Sequence, residues 1–83
     1  MMIKVIGSHM CPDTLYALHK LSEAGVAIDF VDMFSSHDAL KQYLALRDSD
    51  PLYADVRGTG SFGIPCFIRE DGTKTRKLEE VLK

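Results

Sequence analysis

Ile3-Lys4-Val5-Ile6-Gly7-Ser8-His9-Met10-Cys11-Pro12-Asp13-Thr14 decides the reading of this chain. Ile3 to Ile6 is a short apolar run fit for a buried strand, and Gly7-Ser8 ends it. Pro12 suits the first position of a helix, because it has no N–H to leave unpaired and its φ is already helical. Cys11 therefore sits where a strand hands over to a helix start. The unpaired N–H groups and the macrodipole at such a start favour an anion, and the thiolate is the reactive form of cysteine. Cys11 is the candidate nucleophile; the competing reading is a small buried hydrophobe, as many free cysteines are. Asp13 strengthens the first helical turn but places a negative charge near the sulfur, which opposes a thiolate if the side chain points inward. A protonated His9 would offset it.

Outward from this stretch, Leu15, Leu18 and Leu21, helped by Ala17 and Ala24, give a helix over residues 12–24 one apolar face, and Gly25 suits a left-handed helix end. Residues 26–31 alternate as a second strand, with Val26, Ile28 and Phe30 on one side. Strand, helix, strand implies a right-handed crossover between parallel neighbours. Ser35 with Asp38 three places on predicts the cap of a helix over residues 37–47, with Leu40, Tyr43, Leu44 and Leu46 on its apolar side. Asp50-Pro51 predicts a break and a short new helical start carrying Leu52 and Val56. Residues 58–63 form a glycine-rich, flexible loop. Residues 64–68 form a third strand, and Asp71-Gly72 turn it into a fourth around residues 73–75. Leu78, Val81 and Leu82 suggest a short closing helix. The order β-α-β-α-β-β-α implies an α/β fold with a mixed four-stranded sheet flanked by helices, a minimal thioredoxin-like layout.

The 83 residues allow one domain spanning 1–83 with a small core. A net charge of −2 gives no reason to expect nucleic acid or an anionic membrane as partner. No apolar run approaches the roughly 18 residues needed to span a bilayer, and the N-terminus lacks the parts of a signal peptide, so a cytoplasmic location is expected. Two cysteines in such a chain point to redox chemistry, metal or packing rather than a disulfide framework. His9, Cys11 and Cys66 lack the spacing of a zinc site, with His19 and His37 elsewhere, so no metal is expected. Gly58 to Gly63 matches G-x-G-x-x-G in letters only: a dinucleotide site needs a strand before it and a helix after it, whereas Ile64-Pro65 follows.

Thr14 stands where a two-cysteine motif would carry its second thiol, which leaves a single-cysteine mechanism: Cys11 attacks a disulfide, and an external thiol or Cys66 resolves the product. The Thr14 hydroxyl is either a donor to the Cys11 thiolate or a plain early-helix residue. Ile64-Pro65-Cys66 is the second constellation. A proline opening a central strand removes a ladder donor, and a cis bond is a recurrent solution beside sites that keep backbone groups free for a ligand. Cys66 is a possible resolving thiol or a packed strand residue, and a bridge would need Cα atoms within about 7 Å.

Cys11-Pro12-Asp13-Thr14 after an N-terminal strand, followed by Gly63-Ile64-Pro65, resembles the glutaredoxin family over nearly the whole chain. The first segment is similar to that family's C-P-Y-C and single-cysteine C-P-x-S forms, the second to its T-V-P cis-proline segment. The resemblance implies a thiol–disulfide oxidoreductase in which Cys11 is the nucleophile and Thr14 supports it. It implies that Pro12, Ile64 and Pro65 shape the site for glutathione or another low-molecular-weight thiol and a disulfide-bearing protein substrate, with no bound cofactor. Ser8 and His9 stand where glutaredoxins carry a basic residue, and Thr75-Arg76-Lys77-Leu78 stands where they carry Gly-Gly-x-Asp; Lys74, Arg76 or Lys77 are the candidate replacements. A redox-inactive binding module on the same fold is the alternative, and glutathione-bridged iron–sulfur carriage, whose carriers bear C-G-F-S, is a third.

Overall fold

A computed structural model describes residues 2–82. Strand β1 (Met2–Gly7) leads into helix α1 (Pro12–Glu23), strand β2 (Ala27–Asp32) and helix α2 (His37–Ser49). A 3₁₀ turn (Pro51–Tyr53) and the glycine-rich loop precede strand β3 (Cys66–Ile68), strand β4 (Lys74–Thr75) and helix α3 (Leu78–Val81). The four strands make one mixed sheet in the order β2-β1-β3-β4. β1 is central: it runs parallel to β2, with Val5 opposite Phe30, and antiparallel to β3, with Ile6 opposite Cys66.

Strand alternation sorts the core into two layers. Ile3 and Val5 of β1, Ile28 and Phe30 of β2 and Phe67 of β3 face α1 and α3, where Ala17, Leu21 and Val81 meet them. Ile6, Val31 and Cys66 face the other way, onto Tyr43 and Leu46 of α2 and onto Tyr53 and Val56 beyond it. The sheet is thus covered on both sides, as the sequence order predicts.

Local chemistry explains the boundaries. Ser36, not Ser35, caps α2, its hydroxyl accepting from the Ala39 N–H at 3.1 Å. Ser35 is occupied elsewhere, donating to the Asp32 carbonyl at 2.6 Å in the turn that leaves β2. Asp50 caps the 3₁₀ turn through the Leu52 N–H at 3.0 Å, with Pro51 next, as read from the sequence. The hairpin after β3 is a three-residue loop rather than the two-residue turn expected: Arg69 N–H bonds to Thr73 O and Gly72 sits at φ +89.

The face of α1 is rotated from the one its leucines suggest. Thr14, Ala17 and Leu21 are buried, while Leu15 is half exposed and Ala24 exposed. The cause is Gly7. A Cβ on Gly7 would come within 2.6 Å of Thr14 Oγ1 and Cγ2, so glycine lets the helix start lie directly on the end of β1. Leu44 of α2 is likewise exposed, and Ala39 takes its place in the buried row with Tyr43 and Leu46. No helix among the described residues is long and apolar enough to cross a membrane.

Candidate active site around Cys11

β1 delivers the chain to Ser8, which is buried and closes a tight turn: the Cys11 N–H donates to Ser8 O at 3.0 Å and the Met10 N–H to Ser8 Oγ at 3.0 Å. His9 and Met10 occupy the exposed middle of that turn. Cys11 is the N-cap of α1, its carbonyl accepting from the Leu15 N–H at 3.1 Å, and its side chain makes no capping bond. Pro12 has no N–H, so the open donors at the helix mouth are the amides of Asp13 and Thr14, which have no acceptor among the described residues. Serine or aspartate at this position would bond to them. Here the partly exposed Cys11 stands at that position and leaves both amides unbonded.

Thr14 is fully buried, and its Oγ1 accepts from the Ser8 N–H at 3.3 Å. The hydroxyl thus fastens the helix start to the end of β1, and no hydrogen bond joins it to Cys11 among the described residues.

The Ile64–Pro65 peptide is cis, and Ile64 shares a cleft of about 330 Å³ with Cys11, Met10, Phe34 and Phe62. None of the hydrogen bonds among the described residues uses the N–H or C=O of Ile64. The two segments singled out in the sequence therefore meet across one opening, with a free stretch of main chain beside the thiol.

The glycine-rich loop before Ile64 is tethered, contrary to its reading as flexible. Its carbonyls at Ser61, Phe62 and Gly63 accept in turn from Arg47, from Tyr43 Oη at 2.6 Å and from Tyr53 Oη at 2.8 Å. Burial pushes the Tyr53 phenol far up, with the Cys66 thiol beside it adding to the shift, so the hydroxyl keeps its proton for Gly63. Gly63 itself is confined, at φ +68 with Tyr53, Val56 and Arg76 each 2.9 Å from where a Cβ would stand.

Cys66 has no exposed surface and lies in the layer under α2 with Tyr53, Tyr43 and Met33. Burial pushes its thiol up, more than the neighbouring Tyr53 hydroxyl lowers it. Both cysteines are free. Enclosed and held as a thiol, Cys66 is a packing residue, and the resolving role considered for it finds no support in its placement.

Two further grooves flank Pro65, of about 470 and 510 Å³, and Arg76 lines both. Its Nη2 holds both oxygens of Asp55, at 2.8 and 2.9 Å, and its guanidinium lies over the Tyr53 ring at 5.2 Å. The Arg76 hydrogen bond holds the Asp55 carboxyl below its ordinary range. Lys74 is paired with Asp50 at 3.3 Å, and Lys77 lines the second groove. On the other side of Cys11, His9 Nδ1 lies 2.6 Å from Asp32 Oδ2, latching the thiol-bearing turn to the end of β2. Burial opposes ionisation of Asp32, but the Phe34 N–H and His9 outweigh it and lower its pKa. Among the described residues no three His, Cys, Asp or Glu side chains gather as a metal site.

Sequence reasoning did not assign Phe34, Phe62, Tyr43, Tyr53 or Arg47 to the site. The available signal was two aromatics, Phe34 and Phe62, standing in turn and glycine-rich segments outside any apolar periodicity. The donors Tyr43, Arg47 and Tyr53 are placed by tertiary structure alone.

No family model and no solved structure matches this chain. Among curated proteins it is similar to an uncharacterized protein of Haemophilus influenzae (strain Rd), 36% identical over 71 residues, which covers 86% of this chain and 83% of that protein. The chain belongs to the same family as that protein.

Proposed function

We propose that the protein is a glutaredoxin-like thiol–disulfide oxidoreductase of thioredoxin-like fold, working through Cys11 alone on mixed disulfides. The observation that carries this reading is the meeting of a partly exposed N-cap cysteine, at a helix mouth with two amides unoccupied, with the hydrogen-bond-free main chain of Ile64 beside cis-Pro65. The amides offer donors to an anionic sulfur. Pro12 keeps that helix mouth open by adding no donor of its own, and Thr14 positions the turn rather than touching the sulfur.

In the first step the Cys11 thiolate attacks the small-thiol sulfur of a mixed disulfide, and the other arm is the leaving group. A Cys11 disulfide forms, the substrate S–S bond breaks, and the departing thiolate takes a proton from water. In the second step a low-molecular-weight thiol, glutathione or a relative, attacks as thiolate. Cys11 is released, and the small-molecule disulfide leaves with the two electrons' worth of oxidation that the substrate brought. The Ile64 main chain pairs with the peptide of the bound thiol, and Arg76 or Lys77 faces its carboxylates from the grooves beside Pro65.

Cys11→Ser abolishes turnover of the mixed disulfide between glutathione and 2-mercaptoethanol, followed by coupled glutathione reduction. Cys66→Ala retains it. Turnover that survives loss of the Cys11 sulfur overturns the reading. A binding module without turnover is the second reading, favoured by the uncharged lining of the Cys11 cleft, and it is distinguished by an inactive wild-type protein that still holds peptide ligands.

A further inference from the structure

The surroundings of Cys11 are chemically lopsided. Beyond Ile64 and Pro65 lie the charged grooves, with Asp13, Glu79, Arg76 and Lys77 at their walls. On the near side no charged residue lines the cleft, and Met10, Phe34 and Phe62 project into solvent with 63%, 46% and 52% of their surface exposed. They come from three separate loops, and neither phenylalanine belongs to the core clusters. The two rings meet edge to face at 6.5 Å. Phe62 is also one wall of an adjoining cleft of about 270 Å³ with Leu44, itself exposed. Large apolar side chains gathered on a surface next to a nucleophile mark a recognition surface.

A disulfide presented to Cys11 has two arms, and these two surroundings suit different ones. A small thiol carrying carboxylates finds Arg76, Lys74 and Lys77 in the grooves beside Pro65 and no cation in the lining of the Met10–Phe34–Phe62 cleft. The cleft continues past Phe62 along Leu44 and Tyr43 to Arg47, whose guanidinium is already engaged by the Ser61 and Val56 carbonyls and the Tyr43 hydroxyl. We propose that the Met10–Phe34–Phe62 cleft seats an apolar side chain flanking the disulfide-bonded cysteine of a polypeptide, making Phe34 and Phe62 specificity-determining residues. The proposal rests on the reading of Cys11 as nucleophile and names the substrate class that nucleophile serves. The redox step is the one already written, with the polypeptide cysteine as one sulfur and a small charged thiol as the other.

The test uses two synthetic peptides identical except for Phe or Ser next to a single cysteine, each as a mixed disulfide with glutathione. A second pair, with serine in place of the cysteine, is unreactive and reports binding alone through amide chemical-shift titration. Wild-type protein is expected to favour the Phe peptide by about tenfold in kcat/KM and to bind its unreactive version more tightly, with shifts at residues 10, 34 and 62. In Phe34→Ala the ratio between the two peptides collapses toward one. Turnover of both peptides at equal rates overturns this assignment and leaves the oxidoreductase reading standing. Preferential binding of the Phe peptide with no turnover of either supports the cleft and overturns the oxidoreductase reading. Equal binding without turnover overturns both.

Discussion

Replacing Gly7 by alanine tests the contact that sets Cys11 in place. The new Cβ would stand 2.6 Å from both Thr14 Oγ1 and Cγ2, about 1 Å inside the distance at which such atoms attract. Thr14 is fully buried, so relief requires the start of α1 to move off β1. Overpacking of this kind costs about 1–3 kcal/mol, offset by roughly 0.5–1 kcal/mol because alanine loses less chain entropy than glycine on entering a strand. Thr14→Ala alone removes a buried methyl, about 0.8 kcal/mol, and the acceptor of the Ser8 N–H, about 1–3 kcal/mol. In the double variant the Gly7→Ala methyl enters the space left by Oγ1 and Cγ2. The nearest remaining Thr14 atom, Cβ, is then 3.2 Å away, within reach of a small adjustment. The double variant should therefore cost little more than Thr14→Ala, and the coupling should recover about 1–2 kcal/mol. Urea unfolding monitored by circular dichroism measures all four corners of the cycle. Costs that add to within about 0.5 kcal/mol would refute the claim that Gly7 is there to admit Thr14.

In native protein a small alkylating reagent should label Cys11 and leave Cys66 untouched until urea unfolds the chain, because Cys66 is enclosed and its thiol is pushed up by burial; two rapid equivalents by mass spectrometry would contradict this. Asp32 and Asp50 have lowered pKa values in the fold. Their stabilisation is whole above the ordinary carboxylate pKa of about 3.9 and is lost as pH falls below it toward their folded-state values. The urea midpoint should accordingly drop on that acid side, less steeply in Asp32→Asn, and an unchanged acid limb in the variant would count against the His9–Asp32 latch. Gly60→Ala, at φ +79 in open space, should cost about 1–2 kcal/mol, whereas Gly63→Ala adds a clash with Tyr53, Val56 and Arg76 and should reach about 2–5 kcal/mol. Equal midpoints for the two variants would show that the loop yields freely.

The elements were legible because their signals are local. Pro12 and Pro51 sit in first helical positions, Asp50 caps as its type predicts, and Val26, Ile28 and Phe30 share one side, which packs in the same layer as α1. What escaped reading depends on partners distant in the chain. The leucines of α1 advertise one face, but the helix rolls to bury Thr14 because Gly7 opens a gap there. Ser35 and Ser36 are equally good caps in isolation, and the turn from Asp32 claims the first of them. The glycines at 58–63 signal freedom, yet Arg47, Tyr43 and Tyr53 withdraw it through three successive carbonyls. At the site, Cys11 and Ile64-Pro65 were found from residue type and order, while the aromatic wall formed by Phe34 and Phe62 was not, since exposed aromatics in loops carry no periodicity.

The pairing of Ile6 with Cys66 has a bearing on how this chain tolerates change in length. Cys11 hangs from the outgoing end of β1, and Ile64 enters the incoming end of its neighbour β3, so one rung of the ladder gauges the aperture between them. A residue added between Gly63 and Cys66 would shift that gauge or throw Cys66 and Phe67 onto each other's layer. The Asp71–Gly72 bend lies at the opposite end of the same two strands, where lengthening the chain leaves the gauge untouched. Insertions, tags and reporter groups belong there.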